Sequence, residues 1–160
     1  MQVRAPVASE TAALAKIWYD GWQDAHADLL PEELARHRTL ESFKQRIEAD
    51  LSCILVAGPH GHPVGFSMIN GDEFYQLYVT AAARGSGAAA LLLAGAEATL
   101  ERKGVKTAWL ACAIGNERAR RFYERQGWRY AGTMINQLEI PGGPFPLEVW
   151  RYEKNLNAAA

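Results

Sequence analysis

Two stretches of this chain carry chemical groups at fixed spacing. The first is Leu77-Tyr78-Val79-Thr80-Ala81-Ala82-Ala83-Arg84-Gly85-Ser86-Gly87-Ala88-Ala89-Ala90-Leu91-Leu92-Leu93. It runs from an aromatic and β-branched strand through a turn with two glycines into an Ala/Leu-rich helix. First-turn N–H groups have no partner within a helix, and the macrodipole adds partial positive charge there, so this turn suits a phosphate or pyrophosphate. A Cβ at Gly85 or Gly87 would hold a ligand's oxygens away from the backbone. The expectation is a phosphorylated cofactor. A tight turn whose small residues pack on a sheet would read the same way. The lysine and hydroxyl that follow the last glycine of a P-loop are missing, and no G-x-G-x-x-G is present.

The second stretch is Asn116-Glu117-Arg118-Ala119-Arg120-Arg121-Phe122-Tyr123-Glu124-Arg125-Gln126-Gly127-Trp128. On a helix, Asn116, Ala119 and Tyr123 (i, i+3, i+7) share one face while Phe122 turns to the core. The small Ala119 leaves room for a ligand arm along that face. The Tyr123 hydroxyl lies about two turns in from the cap. Alone, such a tyrosine reads as a half-buried aromatic with a wet hydroxyl.

The elements that must position these groups follow from periodicity and breakers. Val3 to Pro6 reads as a short edge strand. Ser9 is an expected N-cap with Glu10 in the first turn, and Leu14, Ile17, Trp18, Trp22 and Ala25 form a helical stripe. A second helix is expected over about Thr39 to Asp50, with Leu40, Phe43 and Ile47 inward. Cys53–Ala57, Val64–Asn70, Glu73–Val79, Thr107–Ile114, Trp128–Glu139 and Leu147–Lys154 read as strands. Two further helices follow the glycine turn, to about Arg102, and span Asn116 to Gln126. The Pro141-Gly142-Gly143-Pro144 stretch is the expected loop between the last two strands. The fold class is α/β (α+β): a mixed, mostly antiparallel sheet of about seven strands flanked by about four helices. One βαβ crossover, Val79–helix–Thr107, should pair its strands in parallel.

The 160 residues, 49% hydrophobic and 22% charged with net charge −1, fit one domain over 1–156 with an unpatterned tail over 157–160. That charge favours neither nucleic acid nor an anionic membrane. Cys53 and Cys112 show no metal or disulfide spacing, and no stretch has the length of a membrane span, so a cytoplasmic setting is expected. His60 and His62 sit in a Gly/Pro turn without a third ligand, so no metal is expected.

Together the two stretches resemble the GNAT superfamily of N-acetyltransferases. There a strand of type L-Y-V leads into V-x-P-x-x-R-G-x-G-x-G/A, and a later helix carries N-x-x-A-x-x-F-Y-x-x-x-G-F. The matching pieces are Leu77-Tyr78-Val79, Arg84-Gly85-Ser86-Gly87-Ala88-Ala89, and Asn116, Ala119, Phe122, Tyr123, Gly127 and Trp128. The likeness covers about Val64 to Tyr130. Ala81 stands where proline is usual, Ala88 where a larger aliphatic is common, and Trp128 replaces a phenylalanine; none of these removes a chemical group.

The resemblance implies an acetyl-CoA-dependent N-acetyltransferase with the GNAT fold. It implies a pyrophosphate on the N–H groups from Arg84 to Ala89, with Ser86 among them, and a pantetheine arm along Leu77, Tyr78 and Val79. The Val79 N–H would polarise the thioester carbonyl, Asn116 would contact the arm, and Tyr123 would protonate the departing thiolate. Only a neutral amine attacks a thioester, so a base is needed. Glu73 resembles the family's acidic residue, acting directly or through a water; with Asp72 it also reads as a solvated strand end. Glu139 and Glu148 are runners-up. Trp22, His26, Phe66 and Tyr75, with Trp150, are the expected acceptor wall, and Trp18 is expected in the core. Cys112 reads as core, which leaves direct amine attack in a ternary complex. The expected acceptor is a small-molecule amine; a protein or peptide amine, or an idle acyl-CoA-binding module, are the alternatives. A homodimer is compatible with the exposed late strands.

Overall fold

A computed structural model describes residues 1–156; the tail expected over 157–160 lies outside the described residues. The strands are β1 (Val3–Arg4), β2 (Ile54–Ala57), β3 (Gly65–Asn70), β4 (Glu73–Val79), β5 (Thr107–Ala113), β6 (Arg129–Ile140) and β7 (Gly143–Asn155). They form one sheet in the order β1-β2-β3-β4-β5-β7-β6. Only β4 and β5 pair in parallel, and they do so across the expected crossover. Helices α1 (Thr11–His26), α2 (Glu32–Ala35) and α3 (Leu40–Ala49) pack on one face, and α4 (Ala88–Arg102) and α5 (Glu117–Arg125) on the other. Among the described residues, no helix is long and apolar enough to cross a membrane.

The first face is an aromatic core. Trp18 of α1 stacks on Phe43 of α3 at 4.6 Å between ring centroids, and Phe66 and Tyr78 tilt against it from the sheet. On the second face, Glu97 of α4 accepts from Trp128 Nε1 at 3.1 Å and Lys154 Nζ at 2.8 Å. Lys154 also donates to the Gln126 carbonyl, which fastens the end of α5 to α4 and β7.

Several local expectations differ from the structure. Among the described residues there are five α-helices, α2 being a single turn after Pro31. Leu40 is 48% exposed. Helical side chains lean back over the preceding turn, and Leu40, as the first residue of α3, has none to cover, so Phe43 and Ile47 alone form the buried stripe. The last two strands continue to Ile140 and from Gly143, leaving only Pro141-Gly142 as the turn. Pro144 and Pro146 fit inside β7 because β5 ends at Ala113, opposite Val149. The segment before Val149 therefore has a neighbour on one side only, and the missing N–H groups break no ladder.

A 3-10 turn, Ala8–Glu10, precedes α1, and its last residue is buried rather than lying in a solvated first turn. The Glu10 carboxylate accepts from both terminal nitrogens of Arg4 (2.9 and 2.6 Å), from the Val7 N–H (2.9 Å) and from the Gly61 N–H (3.0 Å). One side chain thus ties β1, the start of α1 and the β2–β3 turn together. The Arg4 hydrogen bonds lower its pKa to about 2. A depressed carboxyl pKa contributes stability above the unfolded value, lost as pH falls through the folded one. Glu10→Gln is therefore expected to lower Tm at pH 7 by about 5–10 °C in scanning calorimetry. The gap to wild type should narrow as pH falls from 4.5 toward 2.

Candidate active site

The parallel pair β4–β5 meets at one place. Glu73 stands opposite Trp109, whose N–H donates to the Asp72 carbonyl at 3.3 Å. Beyond it the strands diverge, and a cleft of about 500 Å³ opens between Phe74–Val79 and Leu110–Ala113. The β3–β4 register steps from Met68↔Gln76 to Ile69↔Phe74, leaving Tyr75 unmatched. That bulge bends β4 away from β5. The Thr80 N–H donates back to Val64 at 2.8 Å. Alternation along an antiparallel strand then turns the N–H groups of Leu77 and Val79 away from β3, into the cleft.

The cleft's mouth is the glycine turn, where Arg84, Gly85, Gly87, Ala88 and Ala89 form the rim. Gly85 and Gly87 have φ of +80° and +89°, with open space where a Cβ would stand. Glycine is needed there for the backbone conformation as well as for ligand approach. Ser86 turns inward: its hydroxyl donates to the Ala83 carbonyl (2.5 Å) and accepts from the Ala88 N–H (3.3 Å). The N–H groups of Gly87, Ala89 and Ala90 have no partner among the described residues. Arg84 and Arg118 both pair with Asp24 of α1, the latter at 3.3 Å, and Arg125 lines the cleft from the far end of α5. Free N–H groups, a helix N-terminus and two arginines at the mouth suit a polyphosphate.

Helix α5 forms the floor. The Asn116 side-chain oxygen caps it by accepting from the Ala119 N–H at 3.3 Å, and Ala119 and Tyr123 line the cleft beyond. Tyr123 is held edge-on against Phe74 and Trp128, with centroids at 6.2 and 6.5 Å. Burial raises its phenol pKa well above the ordinary value, so it stays protonated at neutral pH. Cys112 lines the same cleft, but burial pushes its thiol up to about 12, which makes it a poor nucleophile. Arg120 faces away, bonded to Tyr152 and stacked over Trp150 at 4.8 Å.

A second cavity of about 100 Å³ adjoins the cleft on the α1 face, and His26, Tyr75, Gln76, Tyr78, Ala111 and Ala113 line both. Glu73 lines the second cavity and is 8% exposed, buried rather than solvated as a strand end. Burial, with Asp72 beside it, raises its carboxyl to about 7 against an opposing pull from Arg151. Burial also lowers the His26 imidazole to about 4, and its Nδ1 is buried without a partner. Trp22 and Tyr75 line this cavity too. Phe66 lines neither cavity: it is fully buried beneath Trp18 and Tyr78, because its strand position points it under α1. Trp150 packs on the opposite face, and Glu139 and Glu148 point to solvent from the β6–β7 hairpin.

Gly21, Arg38 and Arg46 were not singled out in the sequence. The glycine beside Trp22 was the available signal for the first. A side chain at Gly21 would run into the Tyr78 ring, so the glycine lets α1 lie against β4 at the junction of the two cavities. The two arginines come from the link before α3 and from α3 itself, and no local pattern marks them.

The acetyltransferase (GNAT) family profile matches residues 12–128. The chain belongs to this family. It is 39% identical over 101 residues to an uncharacterised N-acetyltransferase of Mycobacterium tuberculosis (strain ATCC 25618 / H37Rv), a match covering 60% of this chain and 65% of that protein. The same fold occurs in a GCN5-related N-acetyltransferase from Rhodopseudomonas palustris (TM-score 0.73, 22% identity, 96% of this chain and 94% of that one). It occurs also in the PaiA N-acetyltransferase of Thermoplasma acidophilum in complex with coenzyme A (TM-score 0.67, 18% identity, 96% and 98% covered).

In this GNAT-family chain the Gly21–Tyr78 contact sets two effects against each other. Alanine gains about 1 kcal/mol over glycine within a helix, whereas overpacking costs about 1–3 kcal/mol. Tyr78 is wedged between Trp18 and Phe66 and cannot swing clear. Gly21→Ala should therefore lower unfolding stability by about 1 kcal/mol in urea titration, where helix propensity alone would raise it.

Proposed function

We propose that the protein transfers an acetyl group from acetyl-CoA to the primary amine of a small molecule, by direct attack in a ternary complex. One observation carries this reading. The cleft between β4 and β5 runs from the cationic glycine turn to the Tyr123 hydroxyl, and it opens sideways into a cavity holding a buried carboxyl. A phosphorylated donor and an amine can thus meet from two directions.

Acetyl-CoA supplies the activated acetyl thioester when bound. The free N–H groups of Gly87, Ala89 and Ala90, with Arg84 and Arg118, hold the anionic end, and Asp24 yields one or both arginines to it. The edge of β4 at Leu77 and Val79 takes the arm as an added strand would. The Val79 N–H would donate to the thioester carbonyl oxygen as charge develops on it. Glu73 takes the proton from the acceptor's ammonium, directly or through a water. Tyr123 donates its proton to the departing thiolate, a role suited to a phenol that stays protonated at neutral pH.

Two observations favour a small acceptor over a protein side chain: the second cavity holds about 100 Å³ and is walled by α1 and the β6–β7 hairpin. An idle acyl-CoA-binding module would need neither a buried carboxyl in the second cavity nor a protonated phenol lining the cleft beside it.

The test is thiol release from acetyl-CoA over a panel of amines, followed with a thiol-reactive dye. Tyr123→Phe is expected to lower kcat by about 10²–10³-fold while leaving CoA affinity within about twofold. CoA binding without turnover for any amine would point to the idle module instead. Glu73 acts as a base only when ionised, so kcat/KM should rise with pH through about 7. Glu73→Gln should remove that ascending limb and lower kcat by about 10²-fold.

A further inference from the structure

Among the described residues, two guanidinium groups in the acceptor cavity lack an acidic partner. Arg38 is 6% exposed, yet among the described residues its guanidinium makes a single hydrogen bond, from one terminal nitrogen to the Glu139 carbonyl at 2.9 Å. Arg46 lies over the Trp18 ring at 4.5 Å and donates to the Tyr75 hydroxyl. Neither has a carboxylate within 4.0 Å among the described residues, and both line the second cavity. A guanidinium carries five N–H donors, so most of those on Arg38 are uncommitted. They are not sealed in, because the only buried side-chain nitrogen or oxygen without a partner among the described residues is His26 Nδ1. Those donors thus keep accessible surface, on a side chain that lines the cavity.

Burying a charge without a counter-ion is costly, and here two like charges adjoin. Burial and Arg46 oppose the charge on Arg38, and Tyr75, Tyr78 and the more distant Glu139 offset them only in part. Glu73 does not relieve them: its charged neighbours are Asp72 and Arg151. His26 is neutral at pH 7, since burial lowers it to about 4, and the carboxylate of Glu139 is exposed and outside ion-pair distance. The cavity therefore has a carboxyl at Glu73 and a separate cationic pair with no ion-pair partner among the described residues.

We infer that the acceptor carries an anionic head group beside its amine, a carboxylate or a phosphonate, which Arg38 and Arg46 receive while the amine is presented to Glu73. This rests on the acetyl-transfer reading above and narrows its acceptor class to compact amino acids or aminophosphonates. The planar guanidinium fork matches either oxyanion with two parallel hydrogen bonds. Seating that anion would orient the amine toward the cleft and neutralise the pair.

The experiment compares matched triplets as acceptors: alanine, leucine and phenylalanine, their decarboxylated amines, and their α-aminophosphonate counterparts. In wild type the acids should exceed the plain amines in kcat/KM by about tenfold or more, with the favoured acid identifying the head group. Arg38→Met should raise KM for the acids by about tenfold and leave values for the plain amines and for acetyl-CoA within about twofold. Arg38→Lys should recover part of the loss, and Arg46→Gln gives an independent reading if Arg38→Met melts early. Equal use of acids and amines by wild type, or equal damage to both by the variants, would overturn the inference. If no amine is acetylated, the acetyl-transfer reading fails, and calorimetric titration of the same compounds into CoA-loaded protein decides the head-group inference separately. Binding of an acid but not its amine, lost in Arg38→Met, upholds it; equal or absent binding of the acids overturns it.

Discussion

Everything at the candidate site depends on a parallel strand pair that is joined at one end only. Glu73 and Trp109 hold β4 and β5 together, the Tyr75 bulge bends β4, and a full sheet gives way to two exposed strand edges facing each other. Unpaired N–H and C=O groups in the middle of a domain are costly unless something bonds to them. Those of Leu77 and Val79 face a cleft of about 500 Å³, and in the proposed reaction the bound arm completes the sheet there. The same divergence lets α5 bring Tyr123 beneath the gap, and lets the cleft communicate with the cavity on the α1 face.

The surrounding structure keeps that gap open against the tendency of strands to close. On one side, the stack of Trp18 on Phe43, with Phe66 and Tyr78 beneath, fills the space under α1, and Gly21 lets the helix settle onto Tyr78. On the other, Glu97 joins α4 to Trp128 and Lys154, while Asn116 caps α5 and fixes its start. At the mouth, Asp24 bridges Arg84 and Arg118, so α1, the glycine turn and α5 are linked by charge at the place where an anionic ligand would compete for the same arginines.

Burial gives the two neighbouring cavities different chemistry. It raises the carboxyl of Glu73 into the neutral range, keeps the Tyr123 phenol and Cys112 thiol protonated, and keeps His26 uncharged. In the proposed reaction this division separates a proton acceptor at the amine side from a proton donor at the thiol side. It also leaves Arg38 and Arg46 as a pair of fixed positive charges lining the second cavity.

The sequence by itself determined what the proposed reaction uses as its donor side. The glycine turn, the Asn116–Tyr123 face and the strand between Glu73 and Val79 are each set within a few residues, and local rules of helix capping, periodicity and backbone conformation govern them. Element order and the parallel crossover followed for the same reason. On the proposed acceptor side, Glu73, Trp22, His26 and Tyr75 were legible as candidates, while the tertiary structure decided which aromatics reach the cavity and brought in the arginines. Phe66 and Tyr75 look alike as strand aromatics, yet a bulge and the approach of α1 bury one and leave the other at a cavity wall. Arg38, Arg46, Glu73 and Leu138 come from four separate segments, and their meeting depends on how α1, α3 and the β6–β7 hairpin pack around the open strand pair. Such long-range packing leaves no periodic trace in the residues it brings together.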